Sequence, residues 1–290
     1  MVECKSCGHP CMAPVRMRQF ELRAPIASGG MGTVYQAFDL MLERDVAVKL
    51  MQPQLLEDEQ ALASFYREAR MAASLTHTNI IHIYTFDEWE GRLYLAMELA
   101  ANGSLDSWIQ SAGKVPELDT LDVAIKIADA LGKAARQGIL HRDIKPDNIL
   151  YDEMGEPKLV DFGLAGGEDD ETGEDLWATP YYIAPEKVNR EKETFLSDMY
   201  SLAATLYHAV TGHPPFEAED LNDVVAAHVY TELTPPDQVE PSITEPTSAA
   251  LCRALAKDPR ERFGSYEEFV MALTSARSQL LVKQLNVTTS

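Results

Sequence analysis

Eight consecutive residues, His141-Arg142-Asp143-Ile144-Lys145-Pro146-Asp147-Asn148, carry a carboxylate, a cation and an amide oxygen on one loop after a long helical stretch. Asp143 can orient an incoming hydroxyl and accept its proton, Lys145 can neutralise a phosphoryl group in motion, and Asn148 can ligate a metal. Thirteen residues after Asn148 comes Asp161-Phe162-Gly163, at the end of the apolar run Pro157 to Val160. A hard carboxylate there suits Mg2+ bridging phosphates. Nearer the N-terminus, Gly29, Gly30 and Gly32 stand between two predicted strands, where missing side chains let backbone N–H groups approach phosphate oxygens. Lys49 closes Val46-Ala47-Val48-Lys49, a predicted strand whose apolar residues bury its stem. An unpaired lysine there is costly, and Glu68 on the following helix is the natural counter-charge. Taken singly, a glycine turn is an ordinary hairpin and Glu68 is one charge of an amphipathic helix. Taken in order, these residues supply what phosphoryl transfer requires: a held triphosphate, charge neutralised by metal, and an aligned acceptor hydroxyl.

Alternating apolar positions from Phe20, broken at Ser28-Gly29-Gly30-Met31-Gly32, predict a strand, a glycine turn and a second strand. Asp45 to Leu50 reads as a third strand and Ala61 to Leu75 as an amphipathic helix. The apolar runs Ile80 to Phe86 and Leu93 to Leu99 complete a small sheet of about five strands. Beyond Ala101-Asn102-Gly103 helical periods dominate, at Ser104 to Ser111, Leu118 to Gln137, Phe195 to Thr211, Leu221 to Tyr230, Pro246 to Lys257 and Tyr266 to Leu280. Residues 1–17 show neither period. The expected organisation is an arm at 1–17, a domain at 18–282 and a tail at 283–290. Within the domain, a first lobe at about 18–98 and a second at about 104–282 share a cleft, joined by a hinge at about 98–103.

In this order the motifs resemble those of the eukaryotic-type (Hanks-type) serine/threonine protein kinases, most like the bacterial branch, from about Phe20 to Leu280. The resemblance implies an α+β, bilobal protein-kinase fold, with a small N-lobe of antiparallel sheet plus one helix and a larger, mostly helical C-lobe. It implies transfer of the γ-phosphoryl group of ATP to protein Ser or Thr hydroxyls, with Mg2+ as cofactor. In its terms Lys49 contacts the α- and β-phosphates, Glu68 is its ion-pair partner, Asp143 is the catalytic base, and Asn148 and Asp161 are the metal ligands. Ala27, Ser28, Gly29, Gly30, Gly32 and Val34 fall on the nucleotide loop and its flank, and Ala47 on the lysine strand. Met97 resembles the residue at the back of the adenine pocket, with backbone groups of Glu98 to Ala100 at the adenine edge. Thr179-Pro180 and Ala184-Pro185-Glu186 resemble the peptide-positioning loop and its closing motif. Asp198 resembles the buried aspartate that begins the central helix and holds the catalytic loop, and Arg262 the arginine that pairs with Glu186. Lys145 together with Thr179 points to Ser or Thr acceptors over Tyr.

The chain also departs from the family pattern. Ala27 replaces the usual first loop glycine, which is compatible with a weaker hold on nucleotide, Ala178 precedes Thr179 where glycine is usual, and Tyr200 and Ala203 stand where Trp and Gly are common. In many relatives a phosphothreonine about four positions before the equivalent of Thr179 pairs with the equivalent of Arg142. Here that position is Asp175, in the run Glu168 to Asp175, six of whose eight residues are acidic. Asp175 or Glu174 is therefore expected to offer Arg142 a standing negative charge, giving activity without loop phosphorylation. Thr172, the hydroxyl in that run, is a candidate autophosphorylation site, and a solvated charge block is the alternative reading of the whole run. Cys4 and Cys7 form a C-x-x-C-G knuckle, with His9 and Cys11 as further candidate Zn2+ ligands. Ligands so close crowd a tetrahedral ion, and a vestigial arm or redox sensing stand as alternatives.

Cys4, Cys7, Cys11 and Cys252 are too lopsided for a disulfide framework. With no secretory signal and no apolar run long enough to span a bilayer, a cytoplasmic location is expected. A formal charge of −21 argues against nucleic acid and favours basic partners or substrates. Two other functions share the fold. A pseudokinase would bind nucleotide or a partner without transfer, and a small-molecule kinase is disfavoured by the segment from Thr179 to Glu186.

Overall fold

A computed structural model describes residues 2–3, 10–11, 15–29, 32–52, 55, 57–162 and 180–288. They divide into two compact units, one of Met1–Thr76 with Ile81–Ala101, the other of His77–Ile80 with Asn102–Ser290.

The first unit is built on alternation. In Arg44–Met51 (β6), Val46, Val48 and Leu50 face one way and join a core with Met17, Phe20, Leu22, Ala37, Tyr94 and Ala96. Ala47, Lys49 and Met51 face the other way, where Met51 packs with Leu93, Leu95 and with Phe65 and Ala69 of the helix Glu59–Ser74 (α1). The remaining strands are Val15–Met17 (β3), Phe20–Ser28 (β4), Gly32–Asp39 (β5), Ile83–Trp89 (β7) and Arg92–Met97 (β8). The sheet is antiparallel with six strands in the order β3-β4-β5-β6-β8-β7. The extra strand is β3, read as a patternless arm because it is three residues long and only Met17 is buried. Val2–Glu3 (β1) and Pro10–Cys11 (β2) form a separate short pair. Ile80, expected to open a strand, instead bridges Leu159 in the second unit, whose N–H donates to Asn79 O at 2.8 Å.

The second unit is mostly helical. Its helices are Leu105–Ala112 (α2), Glu117–Ala135 (α3), Pro185–Val188 (α4), Phe195–Thr211 (α5), Leu221–Tyr230 (α6), Pro236–Val239 (α7), Glu245–Ala254 (α8) and Tyr266–Thr288 (α9). A two-stranded ribbon, Ile149–Tyr151 (β9) and Pro157–Leu159 (β10), follows the acidic and basic loop at residues 141–148. α5 is buried almost all round and forms the centre of the unit. α9 lays Tyr266, Phe269, Leu273, Ala276 and Leu280 into the core, and Gly132 of α3 lets it approach so closely that a Cβ there would lie 3.1 Å from Tyr266 Cβ. The helix then runs on to Thr288, past the start of the expected tail, with Val282 and Leu285 exposed. No helix among the described residues is long and apolar enough to cross a membrane.

Candidate active site

The first unit holds the glycine turn and the lysine. Gly29 N–H donates to Gly32 O at 2.9 Å, and Gln52 Nε2 donates to Gly29 O at 2.9 Å, so the turn is tied down at its base. The two glycines differ in kind. A Cβ on Gly32 would meet Leu50 O at 2.5 Å, so that glycine is demanded by the neighbouring strand, whereas a Cβ on Gly29 would meet nothing within 4 Å. Gly29 is exposed, so packing does not demand a glycine there. Ala27 pairs with Val34 across β4 and β5, while Ser28 lies within hydrogen-bond reach of Thr33. Lys49 is buried between Val34 on one neighbouring strand and Leu95 on the other. Ala47 is buried opposite Met97, the last residue of β8. Beyond it Glu98 and Ala100 are part-buried, and Glu98 N–H is committed to His82 O at 2.8 Å. Glu68 falls on α1, its side chain outside the described residues, as is the whole of Gly30.

In the second unit the loop from His141 to Asn148 is held from beneath by α5. Asp198, in the first turn of that helix, accepts the N–H groups of His141 at 2.7 Å and Arg142 at 2.8 Å. Burial pushes its carboxyl pKa up, while His141 and the two amides pull it down. Arg142 is left-handed, with φ 69°, a conformation that persists in a non-glycine residue only where its surroundings impose it. The imidazole of His141 is wholly buried: Nδ1 accepts from Asp143 N–H at 3.3 Å, which leaves Nε2 protonated to donate to Val160 O at 2.8 Å. Val160 N–H in turn donates to Asn148 O at 3.0 Å. These bonds dock the strand leading to Asp161 against the loop carrying Asp143 and Asn148. Asp161 itself has φ 60°, and Phe162 after it is buried against the His141 ring, 4.6 Å between centroids.

The chemistry-bearing atoms converge on Asp143. Its Oδ2 lies 2.8 Å from Lys145 Nζ and accepts from Asn148 Nδ2 at 3.0 Å, and the same Asn148 nitrogen donates to Asp143 O at 2.7 Å. Asp143 Oδ1 takes no hydrogen bond among the described residues, so one carboxylate oxygen is fixed and the other is not. With its nitrogen spent on Asp143, Asn148 is oriented to present Oδ1, a hard neutral oxygen, and that atom also accepts no hydrogen bond among the described residues. Together with the Asp161 carboxylate this is a donor set that fits Mg2+.

Beneath the loop, Glu186 and Arg262 form a buried two-point pair, Nη1 to Oε1 at 2.7 Å and Nη2 to Oε2 at 2.8 Å. Ser197 Oγ donates to Glu186 Oε1, and the guanidinium also reaches the carbonyls of Leu196, Ala256 and Lys257. Burial favours the neutral acid, but the Arg262 and Ser197 bonds outweigh it and hold the Glu186 pKa below the usual range. Tyr200, which departs from the family pattern, is accommodated by a partner no motif announced: its hydroxyl lies 2.8 Å from Nδ1 of the fully buried His228. Arg142, too, has a partner that the sequence did not suggest. Its Nε lies 3.2 Å from Glu193 Oε2.

Thr172, Asp175 and Thr179 lie outside the described residues, as do Cys4, Cys7 and His9 and the side chain of Cys11. Among the described residues no group of three or more His, Cys, Asp or Glu could hold a metal ion.

Comparison with known proteins gives the family. The family model for the protein kinase domain matches residues 20–273. The chain is 33% identical over 262 residues to the serine/threonine-protein kinase PknH of Mycobacterium bovis, covering 89% of this chain and 44% of the relative. It is 35% identical over 247 residues to PknE of the same organism, covering 84% and 44%, and 31% identical over 261 residues to PrkC of Bacillus subtilis, covering 89% and 40%. The chain thus spans less than half the length of these relatives. The crystal structure of the Mycobacterium tuberculosis PknI kinase domain superposes with a TM-score of 0.71 at 25% identity, over 92% of this chain and 99% of that one. The chain belongs to the protein kinase family, and the relatives it matches are serine/threonine-protein kinases of bacteria.

Proposed function

We propose that this chain transfers the γ-phosphoryl group of ATP to serine and threonine hydroxyls of protein substrates. The observation that carries the reading is the set of bonds around Asp143: one carboxylate oxygen is fixed by Lys145 and Asn148 and the other is left to take a proton. A pseudokinase has no use for such an arrangement. Asp143 orients the acceptor hydroxyl and receives its proton as the oxygen attacks. Lys145, 2.8 Å away, balances negative charge as it builds on the transferring group. Lys49 binds the α- and β-phosphates, with Glu68, three residues beyond Phe65 on α1, as its counter-charge. Ala27, Ser28, Gly29, Gly30, Gly32 and Val34 cover the phosphates and sugar, while Ala47, Met97 and the backbone of Glu98 and Ala100 line the adenine. Asn148 and Asp161 would hold Mg2+, which when bound neutralises phosphate charge. Thr179 helps seat the peptide. An acidic chain of net charge −21 favours a basic protein as acceptor. The test is transfer of label from γ-labelled Mg-ATP to a basic protein, with the label recovered as phosphoserine and phosphothreonine. Label on tyrosine, or on small molecules alone, would contradict the reading.

A further inference from the structure

Arg142 stands immediately before Asp143 in a strained left-handed conformation, so whatever holds Arg142 also aims the catalytic carboxylate. Two of its backbone groups are hydrogen-bonded and its guanidinium is ion-paired. Its N–H donates to Asp198 Oδ1 at 2.8 Å, its C=O accepts from Lys187 Nζ at 3.3 Å, and its guanidinium Nε lies 3.2 Å from Glu193 Oε2. The other oxygen of Glu193 lies 3.6 Å from the same Lys187. Glu193 is thus a single carboxylate between two cations, both of which bear on one residue of the catalytic loop. Only 16% of its side chain is exposed, against 24% for Arg142, so solvent screens the pair weakly.

Glu193 is also held in place. It precedes Thr194, the N-cap of α5, whose side chain accepts from Leu196 N–H at 3.2 Å while its own N–H donates to Ser197 Oγ at 3.1 Å. The helix end that delivers Asp198 to the Arg142 amide therefore also delivers Glu193 to the guanidinium.

We infer that Glu193 is a positioning residue for phosphoryl transfer, a standing counter-charge that fixes Arg142 and through it Asp143 without any phosphorylation. The inference rests on the function proposed above and extends it to regulation. A carboxylate carries less charge than a phosphate, but it is permanent, and here a second cation, Lys187, strengthens its hold.

Glu193→Gln keeps the size and removes the charge. In the full chain, kcat for a basic protein is expected to fall about tenfold or more, as expected when a reacting group drifts by a fraction of an ångström, while KM for ATP stays within about twofold. Glu193→Asp is expected to recover part of the loss. Hydrogen exchange is expected to quicken at residues 141–148 in Glu193→Gln and to stay unchanged in α3 and α9. Wild-type protein treated with phosphatase is expected to keep most of its kcat. Unchanged kcat and unchanged exchange in Glu193→Gln would overturn the inference, as would a kcat loss accompanied by a matching rise in KM for ATP and global loosening. Abolition of wild-type activity by phosphatase would also overturn it. A wild type without any transfer would instead count against the proposed function, and the exchange comparison would still decide whether Glu193 holds the loop.

Discussion

At the scale of single residues, the second unit is organised by charges that are buried and answered. Glu186 and Arg262 show it best, because both are almost inaccessible and each atom that needs a partner has one. Taking both into the interior cost much of what their attraction returned, so the pair is worth little as a source of stability but dangerous to break. Arg262→Met is expected to destabilise the protein by about 3–5 kcal/mol, because it leaves the Glu186 carboxylate buried with only Ser197 beside it. Replacing both residues with apolar ones is expected to cost clearly less than the two single changes added together, measured by urea midpoints. The residues of this scale that were legible in the sequence are those in contiguous motifs. Asp143, Lys145 and Asn148 sit close along the chain and meet in space for that reason. Glu193 was not legible: 51 residues separate it from Arg142, it stands in a short run of mixed charge, and only the helix end it precedes brings it to the guanidinium. The anion expected for Arg142 was sought at Asp175 and Glu174, outside the described residues.

At the scale of elements, glycines and one histidine make separable claims. Gly32→Ala is expected to lower stability by about 1–3 kcal/mol, since its Cβ would collide with Leu50 O at 2.5 Å and the strand must move. Gly29→Ala meets nothing within 4 Å, so its stability is expected to stay within about 0.5 kcal/mol of wild type while KM for ATP rises. Urea midpoints and KM together check both. In α6, burial first and the Lys257 ammonium second hold the His228 pKa down to about 3, against a weaker pull from the Tyr181 backbone. In the unfolded chain the same imidazole takes its proton near pH 6.5. Below that pH the unfolded state binds a proton that the folded state refuses, so stability falls as pH drops from about 6.5 toward 3, by up to about 1.4 kcal/mol per pH unit. His228→Gln is expected to remove about 1.4 kcal/mol of the decline in unfolding free energy between pH 7.5 and 5.5, measured by urea unfolding, and equal slopes in the two proteins would contradict it. Element types were readable because their periods are. The bounds of α5 and α6 match the periodic stretches at Phe195–Thr211 and Leu221–Tyr230, where helical spacing, caps and a following turn coincide. The sixth strand was hidden by its length of three residues, and the last turns of α9 by exposed Val282 and Leu285, which carry no buried stripe.

At the scale of the molecule, the motifs are distributed over two compact units. The first is a curled antiparallel sheet that buries Lys49. The second is a helical body whose central helix, α5, supplies both Asp198 and the cap beside Glu193. A net charge of −21 makes a basic protein the acceptor to offer in a test of the proposed function. Transfer of γ-phosphate from Mg-ATP to a basic protein, compared among wild type, Asp143→Asn and Lys49→Met with ATP binding measured alongside, tests the central claim most directly. Robust transfer by wild type is predicted, with loss of about a hundredfold or more in Asp143→Asn although its ATP affinity is retained, and loss in Lys49→Met. Wild type that binds ATP and transfers nothing, or Asp143→Asn that transfers at the wild-type rate, would contradict the account.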